Sequence, residues 1–145
     1  MKTRTEILEL TQDDLVDLFS TATYGSLWLS ISAKDRRHIV ADEDDCREDI
    51  WAKVLLAGDT IVCTDNYAEG DCYGKLPCTI DEDENANYTL SLQDIKNGLQ
   101  KCADGEFGSW CATAFRAFQE GDGGMDNPMA EMLMQIILFG ELIYG

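Results

Sequence analysis

"YTLSLQDIKNGLQKCADG", residues 88–105, changes its hydrophobic period partway along, and that change decides the fold class. The stretch opens as a short strand. From Ser91 onward Ile95, Leu99 and Cys102 recur at helical spacing. Ser91 and Asp94 stand as N-cap and N3 of a capping box, with Asp in place of Glu. Leu90 and Ile95 have the spacing of a hydrophobic staple. A strand that passes directly into a capped helix points to a mixed architecture.

Working outward, the same grammar recurs. In "ELTQDDLVDLFSTATYG", residues 9–25, Thr11 and Asp14 repeat the capping box, and Leu10 and Leu15 the staple. Leu15, Leu18, Phe19 and Ala22 form the apolar stripe, and Gly25 is the stop. "SLWLSIS", residues 26–32, alternates Leu27, Leu29 and Ile31 against Trp28 and Ser30, as a strand does. "KDRRH", residues 34–38, reads as an exposed basic loop able to neutralise neighbouring acids. Asp45 is expected to cap a helix with Glu48 at N3 and Ile50, Trp51, Val54 and Leu55 inside, ending at Gly58. "TIVCTD" reads as a strand. Residues 65–87 are long for a structureless loop, so a hairpin with its tip at "DEDEN" is expected there. Ser109 should cap a further helix ended by Gly121. Asn127 and Pro128 fit N-cap and N1 of a last, nearly all-apolar helix at the core. Gly140 can end it, leaving "ELIY" as an edge strand or final turn. The expectation is an α+β fold: one compact domain over residues 1–145, with four to five helices and a small sheet of about three short strands.

The chain has 145 residues, 45% of them hydrophobic, which suffices for one real core. Twenty-eight acids against eleven bases give a formal charge of −17. Such a chain attracts basic partners and repels phosphate, so direct binding to nucleic acid or to an anionic membrane is not expected. No apolar run reaches the ~18 residues of a membrane span, and the start lacks a signal-peptide core. A cytoplasmic protein is therefore expected. Cys46, Cys63, Cys72, Cys78, Cys102 and Cys111 then read as mostly reduced thiols.

Two acid runs invite function. Asp42, Glu43, Asp44, Asp45, Glu48 and Asp49 put six carboxylates in eight positions, and Asp81, Glu82, Asp83 and Glu84 form the second run. Three readings compete. Acids at a helix start interact well with its dipole, by ~0.3–1 kcal/mol each. A calcium loop needs oxygen ligands at positions 1, 3 and 5, Gly at 6 and Glu at 12. Asp81, Asp83 and Asn85 match, but Ala86 and Leu92 do not, so no metal site is expected. Zinc fares no better, since no close Cys-x-x-Cys pair occurs. The third reading is a docking surface that presents carboxylates where a basic protein expects phosphates. The last 29 residues, from Ala117, hold five acids and no Lys or Arg, so acids are spread over the whole domain.

The usual catalytic signatures are absent: no Walker A loop, no Gly-x-Gly-x-x-Gly, no Gly-x-Ser-x-Gly, no His-Glu-x-x-His. His38 is the sole histidine, conceivable beside Cys46 or Cys63 but more simply an exposed loop residue. Neither enzymatic activity nor a cofactor is expected.

"YTLSLQDIKNGLQKCADGEF", residues 88–107, and the terminal "MLMQIILFGELIYG", residues 132–145, resemble small acidic proteins encoded by phages and mobile elements of gut bacteria. The resemblance covers the whole chain loosely and carries over no functional residue. Its context implies anti-defence factors, including anti-CRISPR and anti-restriction proteins, some of which resemble DNA in charge. The leading expectation is thus a non-enzymatic inhibitor of a basic nucleic-acid-binding defence protein, docking through the two acid runs. The alternative is a structural or accessory phage protein that forms a homodimer through Ile137, Leu142, Ile143 and Tyr144.

Overall fold

The computed structural model describes residues 9–34, 39–121 and 123–144. The "KDRRH" loop beyond Lys34 lies outside them. The elements run α1 (Gln12–Thr23), β1 (Leu29–Ser32), α2 (Arg47–Leu56), β2 (Ile61–Asp65), β3 (Cys78–Ile80), β4 (Ala86–Leu90), α3 (Leu92–Ala103), α4 (Gly108–Glu120) and α5 (Asn127–Phe139). The fold is α+β, as expected, and among the described residues it has five helices and four strands, one strand more than expected. The four strands form one antiparallel sheet in the order β1-β2-β4-β3.

The capping boxes form as read. Thr11 Oγ1 accepts the Asp14 N–H while Asp14 accepts the Thr11 N–H, and Ser91 and Asp94 do the same at α3. Each box satisfies backbone donors that a helix start leaves open. Leu15, Leu18, Phe19 and Ala22 of α1, and Ile95, Leu99 and Cys102 of α3, are fully buried.

β2 and β4 carry the sheet's inner face. Ile61, Cys63 and Asp65 alternate inward, opposite Leu90, Tyr88 and Ala86. α5 is the central helix, packed against α1, α3 and α4. Its approach to α3 depends on Gly98, where an added Cβ would meet Ile137 Cα at 2.6 Å. Only a residue without a side chain allows those backbones so close.

Several expectations need correction. Leu27 precedes β1 and is 77% exposed, whereas Trp28 is buried at 4%. The strand begins later than the alternation implied, and the larger ring takes the inner site. The N-cap of α2 is Cys46, not Asp45, because Asp45 turns to Lys53. α4 begins at Gly108, after Phe107 and not after Ser109. Asp126, not Asn127, caps α5, accepting the Met129 N–H at 2.9 Å. That frees the Asn127 amide to donate to the carbonyls of Thr21, Ala22 and Tyr24, closing the C-terminal end of α1. The "ELIY" segment forms no strand. Gly140, at φ 72°, ends α5 as expected.

Candidate functional site

The first acid run is largely engaged inside the fold. Asp45 pairs with Lys53 and also accepts the Asp42 N–H at 2.9 Å. The Lys53 ammonium holds the Asp45 carboxyl below its usual range. Lys53 also reaches Asp42 at 3.4 Å and the Val40 carbonyl at 3.1 Å. Asp49 accepts both the N–H and the thiol of Cys46, and these bonds lower its pKa. Glu48 pairs with Arg47, whose guanidinium lies over Trp51. Glu43 and Asp44 alone point to solvent without such partners among the described residues.

The second run stands open. β3 and β4 form the expected hairpin, and residues 81–85 are its tip. Asp81 secures the turn, accepting the Asp83 and Asn85 N–H groups at 2.9 and 3.0 Å and the Asn87 amide at 3.1 Å. The Asn87 bond is the main cause of its lowered pKa. Its oxygens are thus turned to the chain's own donors. Among the described residues no three His, Cys, Asp or Glu side chains converge as metal ligands would. Glu82, Asp83 and Glu84 are exposed. Tertiary structure adds two acids that the sequence reading did not include. The Gly70 N–H donates to the Glu84 carbonyl at 2.8 Å, which brings Glu69 and Asp71 to the tip. None of these six carboxylates is ion-paired among the described residues. Glu69 and Glu84 hold left-handed backbone, at φ 51° and 64°, where Gly or Asn is usual.

Just below the tip lies a group the sequence reading passed over. Asp65 is fully buried and has no cationic partner among the described residues. It accepts the Tyr67 N–H at 2.9 Å and the Tyr144 hydroxyl at 2.7 Å. The Tyr144 ring sits among Trp28, Tyr67 and Phe139, at centroid distances of 5.5, 5.9 and 6.0 Å. Burial and the Asp65 carboxylate both push the Tyr144 phenol up, so it stays a donor. Gln135 holds the tail, its Oε1 accepting the Ile143 and Tyr144 N–H groups and its Nε2 donating to the Tyr144 carbonyl. One signal in the sequence could have found Asp65. The alternation Ile61, Cys63, Asp65 puts it on the inner face.

The four residues of the expected oligomer face do not lie together on one exposed patch. Ile137 is a core residue against Gly98, and Tyr144 folds back onto Asp65. Leu142 is 46% exposed, and Ile143 is half-buried. Four of the six cysteines are free thiols, in line with the expectation, and two are not. Cys72 and Cys78 form a disulfide, because β3 begins where the loop returns beside its own start. Cys63, Cys102 and Cys111 are buried thiols, and burial pushes Cys102 up to about 12. Cys46 is exposed, but its bond to the Asp49 carboxylate raises its pKa, which disfavours the thiolate a nucleophile needs. No described helix is long and apolar enough to cross a membrane. Compared with known proteins, the chain matches no family model, no curated protein and no solved structure.

Proposed function

We propose that the protein is a non-enzymatic docking protein whose acidic hairpin tip binds the basic groove of a nucleic-acid-binding protein. The observation that supports this reading is the Gly70–Glu84 bond, which gathers Glu69, Asp71 and the 81–84 run at one end of the sheet. Carboxylates fixed on a turn, unpaired and exposed, keep their attraction for Lys and Arg. Retaining Glu at two left-handed positions costs about 1–3 kcal/mol each for a non-Gly residue. That is easier to understand if the charge is used. The resemblance to mobile-element proteins supplies the partner class, a nuclease or other DNA-binding protein of host defence. A cytoplasmic location belongs to the same proposal, and it makes Cys72–Cys78 a redox-labile closure.

The test is competition. Partners captured from host lysate at low salt should be released by high salt and by added duplex DNA. The variant carrying Glu69→Gln, Asp71→Asn, Glu82→Gln, Asp83→Asn and Glu84→Gln should capture none of them. If capture survives neutralisation of both acid runs, the carboxylates only solubilise the chain and the proposal fails.

A further inference from the structure

We propose that the pocket around Asp65 is a recognition box for an alkylammonium group, with Tyr144 as its gate. The inference stands apart from the docking function, since it concerns buried groups and not the tip. A carboxylate removed from water normally keeps a cation or a full set of donors. Asp65 has one backbone N–H and one phenol, and no cation among the described residues. Around it stand the electron-rich faces that attract alkylammonium ions: Trp28, Tyr67 and the Tyr144 ring itself. The Trp28 indole N–H, buried in the same cluster with no hydrogen-bond partner among the described residues, is a donor and so reports on the box without itself binding a cation.

The occupant of the box is the Tyr144 ring, held by its phenol on Asp65 and by Gln135 on its backbone. Residues 141–144 have no regular structure, and the side chain of Gln135 anchors their backbone. On the outer side of Tyr144 a cavity of about 340 Å³ is lined by Glu131, Met132, Gln135, Leu142 and Ile143. A cation entering there meets the Glu131 carboxylate and then the Tyr144 ring. Turning that ring aside would join the cavity to Asp65. The ligand would then replace the phenol on the carboxylate and the ring among the aromatics.

Nuclear magnetic resonance titration with tetramethylammonium and with n-butylammonium, at constant ionic strength, tests this. The Trp28 indole N–H and the Tyr67 ring should shift saturably. Asp65→Asn should weaken binding about tenfold or more. Tyr144→Phe, which removes the latch on Asp65, should tighten it about fivefold, the worth of one hydrogen bond. Neutralising the tip should leave the binding of these small ions saturable. If Asp65→Asn does not fold, Tyr67→Leu serves instead, with an expected loss of at least threefold. A parallel arm uses an acetylated, amidated Gly-Lys-Gly peptide. Tighter binding than n-butylammonium would identify the ligand as a protein lysine, and equal binding a free amine. Shifts that rise linearly without saturation in both wild type and Tyr144→Phe would overturn the proposal. So would binding unchanged by both Asp65→Asn and Tyr67→Leu.

Discussion

The two acid runs have nearly the same composition and opposite fates. Asp42–Asp49 lies at the start of α2, where open N–H groups and Lys53 are within reach, and four of its six carboxylates are engaged there. Glu82–Glu84 lies at a hairpin tip, where one carboxylate, that of Asp81, already meets the local donors. A helix start consumes acids, and a β-turn secured by a single Asp leaves the rest free. Local charge density therefore does not identify a binding surface. The supply of donors beside it decides which carboxylates stay free.

The comparison breaks most visibly in binding. Neutralising the five tip acids should slow association with a basic partner about a hundredfold at low salt, as loss of electrostatic steering does. Stability should stay within about 0.5 kcal/mol in a urea melt. Neutralising Asp45 and Asp49 should do the reverse, retaining association and losing stability. If both sets act alike on both readouts, the distinction is wrong.

Reducing Cys72–Cys78 opens the seven-residue loop that leads from Asp71 to β3. It should lower stability by about 2 kcal/mol in the chain-entropy account, with the tip-bearing hairpin loosened first in hydrogen exchange. Equal protection with and without reductant would show that the hairpin needs no such tie.

Asp49→Ala removes the group that accepts the Cys46 N–H and should cost about 1 kcal/mol, read by thermal unfolding. The pH dependence has a definite sign. Asp45, Asp49 and Asp81 have lowered pKa values in the folded state. Their contribution is in place above the ordinary Asp value of 3.8 and is lost as pH falls through the lower folded values. Asp17, raised mainly by its own desolvation, works in the opposite sense, costing stability at neutral pH and ceasing to do so on protonation. Wild type should therefore lose stability below about pH 4, and Asp45→Asn should lose less over that range. A steeper loss in the variant would contradict the assignment.

The smallest effect is the most discriminating. Glu84→Gly relieves left-handed backbone and should stabilise the fold by about 0.5–1 kcal/mol while weakening partner binding. A variant that gains stability and loses nothing in binding would show that Glu84 is not retained for its charge.

Much of this fold was legible in one dimension. Thr11 with Asp14 and Ser91 with Asp94 are local, since three residues of spacing fix the hydrogen bonds and nothing distant competes. The stripes of α1 and α3 follow from the same periodicity. The hairpin over residues 78–90 followed from the length of an irregular stretch. Where the reading failed, a distant group intervened. Asp45 did not cap α2 because Lys53, eight residues on, claimed its carboxylate. Asn127 did not cap α5 because the carbonyls of α1, over a hundred residues away, claimed its amide. Trp28 displaced Leu27 from the inner face because Phe139 and Tyr144 offer it an aromatic site.

The candidate sites divide in the same way. The sequence by itself determined the charge, the two acid runs, the caps of α1 and α3 and the α+β class, all of which depend on composition or short spacing. Tertiary structure decided that Glu69 and Asp71 join the tip, that Ile137 lies inside, that Cys72 meets Cys78, and that Tyr144 closes on Asp65. Each of these brings together residues whose partners lie elsewhere along the chain, where periodicity carries no information and only packing of the whole domain selects the contact.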